Sequence, residues 1–514
     1  MNIIEDLKHM DAAVLIDVRY HRPNVETDWK DSVDIIFCDS QRQKKVYHVK
    51  EPTVEIFFAK DEAKETGFNR TFIPQNDVYS KEVSYNNITL AIADEAGGSI
   101  KKFAQECLRN RKRGELKNIH KYQNVFASDY TIENLIRVWW MLEIHDDRYA
   151  KLQMPRKGFL DIEVDGIDFP GFVVGGVAPI NAVTLIDDAS DVTTSYTFVL
   201  RNPRNPQIQE LEDDIGGFIR ELHEDFDESY GNIDYQFFFY DEKDEITMIK
   251  HMFVLINTLD IDFWLIWNMS FDIPYIIDRI NQLGRDPRAI MCDREFPIKD
   301  AYFYKDKRNF KLGGKTDYAA ISTKSVFYDQ MILYAAVRSS QSEMSSYKLT
   351  DIAANEIGDK KLDYSEVENF KTFPYENFRL FLKYNIKDVL LQIGIERKVT
   401  DVDNLYKRSY QNATQYNKAF KQTVFLSNRA YIEYWKQGLV IGNNINFDTS
   451  SWNQNNDGSM TIKVDKDTDE ESYAGGLVAD PELIDYVGVE IMGKKSKYIL
   501  KYVIDMDKLC PFAA

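Results

Sequence analysis

Cysteine is scarce in this sequence, which holds four in 514 residues: Cys38, Cys107, Cys292 and Cys510. Their number and spacing form neither a disulfide framework nor a zinc-ligand set, so we expect a reducing, cytoplasmic setting. Long apolar runs are lacking as well: acidic and amide residues flank the longest candidate, at 263–266, so no membrane span is predicted and no membrane partner is expected. The first residues show no basic segment followed by an apolar one, so no signal peptide is predicted.

An excess of positive charge is also absent, since the formal net charge is −19. Taken alone, this value argues against a nucleic-acid binder. Net charge does not report local potential, however, and two local runs are basic. One spans 109–113 and continues to Lys117 and Lys121, and the other spans 305–315. Each run is typical either of a solvated loop or of a track for phosphates, so composition leaves the partner open.

The length of 514 residues is too great for one hydrophobic core, and several domains are expected. Residues 1–155 are predicted to form a mixed N-terminal domain, with 400–470 packing back on it. From 156 to 398, strands followed by helices predict an α/β layered domain within an α+β multidomain chain. Residues 472–514 are predicted to form a third, partial domain.

Two carboxylates stand on an apolar strand at 159–164, in the run Phe-Leu-Asp-Ile-Glu-Val. Strand side chains alternate between faces, so Asp161 and Glu163 share one face and the apolar residues share the other. Adjacent acids repel each other and resist burial, and a divalent cation between them removes both problems. The alternative interpretation is the solvated face of an edge strand.

A second acidic residue follows a buried strand, in the run Asn-Met-Ser-Phe-Asp-Ile-Pro-Tyr at 268–275. The strand is predicted to end at Asn268, and a helix to begin near Asp272 and Pro274. Asp272 is therefore interpreted either as a helix cap or as part of a ligand site at the carboxyl end of a strand.

The third acidic group lies inside a helix predicted from about 375 to 397. Tyr384 and Asp388 are four residues apart, so they share one helix face. Apolar neighbours make burial of Asp388 plausible and an unpartnered carboxylate costly. The alternative is an ordinary hydrogen bond between tyrosine and aspartate. Together with the two earlier acidic groups, these side chains make up the set required for two-metal hydrolysis of a phosphodiester.

Residues 159–163, 268–275 and 384–388 resemble, in order and context, the three proofreading exonuclease motifs of family-B DNA polymerases, in particular those of large tailed phages. Residues 179–184 and 325–329 are similar to the strands that accompany the first and third motifs. Residues 473–476 are similar to the Tyr-x-Gly-Gly element before the palm, and 505–512 to the first palm motif. The resemblance covers nearly the whole chain.

This resemblance implies a ribonuclease-H-like domain that removes nucleotides 3′ to 5′ from single-stranded DNA primer ends with two Mg²⁺ or Mn²⁺ ions. The implied metal ligands, with Tyr384 beside them in the catalytic set, are Asp161, Glu163, Asp272 and Asp388. The implied DNA contacts are Asn268, Phe271, Tyr473, Gly475, Gly476, Lys311, Lys315 and Lys360. Either Lys360 or Lys361 would approach the scissile phosphate, and Phe271 would receive the unstacked terminal base.

The palm block departs from the family pattern. Cys510 stands where the family has tyrosine, and Asp505 would be the lone metal ligand of an incomplete polymerase site because no second palm motif follows. We therefore expect a second polypeptide to complete the polymerase, as in a bacteriophage gene split within the palm and expressed in the host cytoplasm. A sliding clamp is a further candidate partner. The alternatives are a free-standing exonuclease and a non-catalytic subunit of a replication complex.

Overall fold

The computed structural model describes residues 2–23, 28–67, 71–148, 154–189, 192–296, 303–305, 318–338 and 346–443, and four short strands after residue 451. The chain divides into two compact units, Met1–Phe447 and Asp448–Ala514. The domain boundaries expected at 155, 398 and 472 stay predictions. Within the described ranges, no helix has the length and apolar character that crossing a bilayer requires.

In its described residues, the N-terminal part of the first unit holds two three-stranded antiparallel sheets and several helices. In chain order it contains α1 (Asn2–His9), β1 (Ala12–His21), β2 (Ser32–Asp39), β3 (Lys44–Lys50), β4 (Thr53–Ala59), α2 (Asp61–Thr66), β5 (Phe72–Pro74), β6 (Val78–Ser84), α3 (Ile88–Ala96), α4 (Gly98–Arg109), a 3-10 helix (Arg113–Lys121), β7 (Val125–Phe126) and α5 (Ile132–Glu143). The sheet orders are β1-β2-β3 and β6-β4-β7. Because α5 packs on β1, the apolar residues of that strand are buried.

A mixed eight-stranded sheet forms the centre of the unit, in the order β11-β10-β9-β8-β12-β15-β14-β13. Its strands are β8 (Lys157–Val164), β9 (Ile180–Asp187), β10 (Thr193–Leu200), β11 (Ile233–Tyr240), β12 (Phe263–Ile266), β13 (Phe303–Lys305), β14 (Tyr318–Ile321) and β15 (Val326–Asp329). Strand β8 is antiparallel to β9 and parallel to β12, which is parallel to β15. The α/β class expected from the sequence is confirmed.

Helices lie between and after these strands. They are α6 (Gln207–Asp213), α7 (Ile215–Tyr230), α8 (Glu245–Thr258), α9 (Met269–Gln282), α10 (Pro287–Met291), α11 (Gln330–Val337), α12 (Leu349–Ile357), α13 (Phe373–Glu376) and α14 (Phe378–Val399). The apolar face of β8, with Leu160 and Ile162, belongs to the same buried cluster as α8 and α9. Phe159 lies on the other face, in the cluster that includes the apolar residues of α14. Alternation along β8 thus turns Asp161 and Glu163 toward α14.

Arg19 of β1 joins the N-terminal part to the central sheet. Its guanidinium donates hydrogen bonds to three carbonyl oxygens just before β15, those of Ile321 (2.6 Å), Thr323 (2.8 Å) and Ser325 (2.7 Å). Asp17 accepts from Nε of Arg19 at 2.8 Å, so the buried guanidinium has an acidic partner. A planar fork of donors suits this turn because several carbonyls converge there.

The chain then returns to the N-terminal part. Helices α15 (Asp401–Gln411) and α16 (Gln422–Lys436) are followed by β16 (Leu439–Ile441). Strand β16 pairs antiparallel with β5, which places Val440 opposite Ile73. Of the second unit, the structure describes two antiparallel strand pairs, β17 (Trp452–Gln454) with β18 (Met460–Ile462), and β19 (Glu490–Gly493) with β20 (Ser496–Ile499).

Candidate active site

Three carboxylates meet between β8 and α14. One ligand oxygen from each of Asp161, Glu163 and Asp388 lies within 4.8 Å of the other two. The first two are neighbours on one face of β8, and the third comes from the middle of α14, which packs on that strand. Asp388 is 225 positions from Glu163 in the sequence, and the packing of α14 on β8 brings their carboxylates together. Within the described residues, this is the cluster suited to hold a metal ion.

Asp272 lies beside this cluster but outside the three-carboxylate set. Its Oδ1 accepts a hydrogen bond of 3.4 Å from the backbone N–H of Ile162, which lies between the two acids of β8. The predicted helix start was wrong by about one turn, because α9 begins at Met269 and Pro274 lies inside it. Asn268 takes a left-handed conformation (φ 69°), which asparagine tolerates, and this ends β12 abruptly. Asp272 therefore belongs to the first turn of α9 and is not its cap.

Lys361 reaches the cluster from the segment between α12 and α14. Its Nζ donates to Oδ2 of Asp388 at 2.5 Å and to the hydroxyl of Tyr384 at 3.1 Å. The two acceptors are one helical turn apart on α14, as their spacing predicted. Lys360, by contrast, is exposed, and its backbone N–H donates to Oδ1 of Asp359. Of the two lysines named from the sequence, the structure brings Lys361 into the site.

Asn385 is a site residue that sequence reasoning missed. Its Nδ2 donates to Oδ2 of Asp161 at 2.9 Å, and its Oδ1 accepts from the hydroxyl of Thr184 at 2.6 Å. Because the amide is held on both sides, it fixes the orientation of the Asp161 carboxylate. The available signal was its place directly after Tyr384, on the buried face of the same helix.

Burial and like charge raise the pKa values in the cluster. For Asp161, burial first and then the carboxylate of Asp388 raise the pKa to about 7, against the opposite effects of Lys361 and Asn385. For Asp388, burial raises the pKa to about 6 although Lys361 acts to lower it.

The other two carboxyls respond in the same direction. Burial, followed by repulsion from Asp161, holds the pKa of Glu163 and that of Asp272 well above the ordinary range. Lys361 therefore does not compensate the charge of the four neighbouring acids. Such a group is stable in its charged form only with further positive charge nearby.

The chemistry of these side chains fits a divalent cation. Oδ1 of Asp388 is buried and has no hydrogen-bond partner in the part of the chain that the structure describes. The ligand atoms that the cluster offers are carboxylate oxygens, which hard cations such as Mg²⁺ and Mn²⁺ prefer. A cation would give the orphaned oxygen a partner and relieve the repulsion among the acids.

Phe271, the residue before Asp272 in α9, forms an aromatic pair with Phe172. The ring of Phe271, in the first turn of α9, is 5.4 Å from the ring of Phe172 and 5.3 Å from that of Tyr275, measured between centroids. Phe172 is 79% exposed, so one face of this pair is open to solvent. Asn268, the other DNA contact predicted here, accepts a hydrogen bond from the Ser270 hydroxyl at 3.1 Å.

The remaining predicted site residues lie outside the described residues. They are Lys311, Lys315, Tyr473, Gly475, Gly476 and Asp505. Their expected roles in binding DNA and in an incomplete polymerase site stay predictions.

Comparison with known proteins supports the resemblance based on the motifs. Residues 219–352 match the family model described as DNA polymerase family B, exonuclease domain. The match includes Asp272 and the aromatic Phe271 but neither the acids of β8 nor those of α14. The eight-stranded mixed sheet is consistent with the ribonuclease H-like fold expected for such a domain.

Two viral proteins are also similar to this chain. They are the DNA polymerases of Autographa californica nuclear polyhedrosis virus and Bombyx mori nuclear polyhedrosis virus, each 25% identical over 169 residues. The aligned segment is 32% of this chain and 16% of either relative, so the chain matches only a small part of their length. The likeness to family-B DNA polymerases is confirmed at the level of the exonuclease domain. The bacteriophage likeness, the second polypeptide and the clamp stay predictions.

Proposed function

We propose that this chain hydrolyses DNA from the 3′ end, one nucleotide at a time, with two divalent cations. The observation that carries the proposal is the meeting of Asp161, Glu163 and Asp388 within 4.8 Å, with Asp272 against the same strand. The match to the exonuclease domain of family-B DNA polymerases supports this reaction class.

The four carboxylates would hold the cations, Mg²⁺ or Mn²⁺. When bound, such ions lower the pKa of a water and neutralise charge on the attacking and leaving oxygens of the phosphodiester. Asn385 keeps one oxygen of Asp161 engaged, which leaves the other free to serve as ligand. Because most residues of α14 and β8 are buried, the backbone that carries the ligand side chains has little conformational freedom.

Lys361 and Tyr384 supply the polar groups beside the carboxylates. The carboxylate of Asp388 raises the pKa of Lys361 despite its burial, so its ammonium stays charged and can stabilise negative charge on a phosphate. Burial and Asp388 raise the pKa of Tyr384 too, so its hydroxyl stays protonated and can orient a phosphate oxygen or the attacking water.

The open face of Phe172 and Phe271 would receive the terminal base. A base must unstack before its phosphodiester can reach buried carboxylates, and stacking on an aromatic side chain offsets that cost in a sequence-tolerant way. Phe271 and Asp272 belong to the same first turn of α9, which supports a role for this aromatic platform at the acid site. The substrate would therefore be a single-stranded 3′ end.

The test is digestion of a 5′-labelled single-stranded DNA oligonucleotide with Mg²⁺, with and without a chelator. We expect wild type to give a ladder of products shortened stepwise from the 3′ end. An Asp161→Asn/Glu163→Gln variant should give none, because the isosteric amides remove the ligand charge. The matched control is Glu224→Gln/Glu228→Gln, which removes two exposed charges from α7 and should cut like wild type.

The outcomes separate the alternatives. Immediate release of labelled mononucleotide would mean attack at the 5′ end, and equal cutting by the β8 variant would mean that the acids are not the site. No cutting by wild type would favour the non-catalytic subunit. A role in proofreading for a polymerase completed by a second polypeptide is a further proposal, tested by adding candidate partner chains and measuring extension of a matched and a mismatched primer.

A further inference from the structure

A strongly basic surface lies in the N-terminal part of the chain. It consists of Arg109, Arg111, Lys112, Arg113 and Lys117, at the end of α4 and the start of the following 3-10 helix, and all five side chains are exposed. Residues 98–121 carry eight lysines and arginines against two glutamates, in a chain whose net charge is −19. The positive charge is therefore concentrated locally.

Most of this charge is not neutralised by the protein itself. Lys112 pairs with Glu115 at 3.2 Å. The side chains of Arg109, Arg111, Arg113 and Lys117 have neither a hydrogen bond nor an ion pair within the described ranges. Uncompensated cations at this density attract a polyanion from solution.

The backbone at Arg111 adds a second observation. Its φ is +58°, and the turn is closed by a 2.8 Å hydrogen bond from the N–H of Lys112 to the carbonyl of Cys107. Helix ends of this kind favour glycine or asparagine at the left-handed position. Arginine is conformationally unfavourable at this position, and such strain is typical of functional residues. The property that arginine adds here is a positive charge on a long side chain.

We infer that this basic surface binds the phosphate backbone of DNA, separately from the carboxylate site. Guanidinium groups bind phosphate through paired donors, and four cations within five successive positions at a reversing turn face several phosphates at once. Phe103, the phenylalanine within 98–121, is half-buried and is therefore poorly placed to stack on a base. Contact through phosphates is independent of base sequence. The choice of DNA as the polyanion rests on the proposed function.

The test measures equilibrium binding of the full chain to fluorescent DNA by anisotropy, in EDTA so that no hydrolysis occurs. The variant is Arg109→Gln/Arg111→Asn/Arg113→Gln. The charge-matched control is Lys243→Gln/Lys250→Gln/Lys407→Gln, three exposed lysines elsewhere. Titrations are repeated between about 50 and 200 mM salt, and the logarithm of the binding constant is plotted against the logarithm of the salt concentration. Each phosphate contact contributes about 0.7 to the magnitude of this slope on single-stranded DNA, so the slope gives the number of contacts.

We expect the triple variant to bind single-stranded DNA about tenfold more weakly and to lose about 2 from the slope, whereas the control keeps the wild-type slope. A slope equal to wild type in the triple variant would overturn the inference. Arg111→Asn alone guards against misfolding, because asparagine suits the left-handed turn, and it should lose about 0.7 from the slope. Tighter binding to RNA of the same sequence, lost in the variant, would replace DNA by RNA as the partner. Because hydrolysis is not measured, the result is independent of the exonuclease test.

Discussion

The ammonium of Lys361 lies 2.5 Å from the carboxylate of Asp388, although the two residues belong to different segments and are separated by a turn and a short helix. The same ammonium lies 3.1 Å from the hydroxyl of Tyr384. One lysine thus links the acid and the tyrosine of the third motif. Among the described residues, it is the lysine whose ammonium donates a hydrogen bond to one of the clustered carboxylates.

The first prediction concerns this lysine. Lys361→Met should lower kcat for DNA hydrolysis by about 100-fold, the scale of losing one preorganised charge donor at a reacting centre, with a small change in KM. Lys360→Met is the matched control, because its side chain is exposed and adjacent in sequence. Single-turnover cleavage of labelled DNA measures the effect. Equal losses in the two variants would contradict a specific role for Lys361.

The second prediction concerns Asn385, which holds the carboxylate of Asp161. Asn385→Ala should raise the Mg²⁺ concentration for half-maximal activity by about tenfold or more, because groups that orient ligands contribute that much to cation affinity. Asn281→Ala on the exposed side of α9 serves as control. A drop in kcat with an unchanged Mg²⁺ midpoint would show that the amide acts on the substrate and not on the cation site.

The third prediction concerns the segment that carries Lys361. Asp359 accepts hydrogen bonds from the buried Lys387 at 2.5 Å and from the Tyr230 hydroxyl at 2.6 Å, so it attaches residues 358–361 to α14 and α7. Asp359→Ala should lower the free energy of unfolding by about 2 kcal/mol, the scale of losing a hydrogen bond to a charged group, because the ammonium of Lys387 stays buried without its carboxylate. Exonuclease activity should fall as well, since Lys361 loses its support.

A double-mutant cycle isolates that ion pair. Adding Lys387→Met to Asp359→Ala should recover part of the lost stability, because the uncompensated charge disappears. Urea unfolding followed by tryptophan fluorescence measures each variant. Strictly additive losses would mean that the two side chains do not stabilise each other.

The site residues that could be predicted from the sequence are those that follow the side-chain repeat of a strand or a helix. Alternation along β8 placed Asp161 and Glu163 together, and the four-residue spacing placed Tyr384 and Asp388 on one helix face. These patterns are local, because the geometry of a strand or a helix determines which side chains share a face. The contact between the strand and the helix followed from the resemblance and not from either pattern.

The errors and omissions arose where the backbone is irregular. Asn268 adopts a left-handed conformation and α9 begins directly after it, about one turn before the start that the sequence predicted near Asp272. The segment around Lys361 has no period, so the choice between it and Lys360 depended on tertiary contacts. Asn385 was missed because an amide inside a helix carries no signal of its own until its partners are known.

The last prediction is a pH dependence outside the catalytic cluster. Glu396 of α14 is 2% exposed and lies 3.2 Å from Nζ of Lys157, and burial raises its pKa to about 7 in spite of that lysine. The folded protein therefore holds a proton on Glu396 between about pH 4.5, where the unfolded side chain titrates, and pH 7. Since the native state binds more protons in this window, stability from this group is present at low pH and is lost as pH rises.

The size of the effect follows from the displacement of the pKa. At about 1.4 kcal/mol for each pH unit, wild type should lose about 3 kcal/mol from this group between pH 4.5 and 7. Glu396→Gln has no proton to lose, so its free energy of unfolding should vary less with pH, and the gap between the two proteins should shift in favour of the variant at pH 8. Urea unfolding at pH 5 and pH 8 tests this. A constant gap would mean that the pair with Lys157 keeps Glu396 ionised throughout, because the attraction of the ammonium would then outweigh the cost of burial.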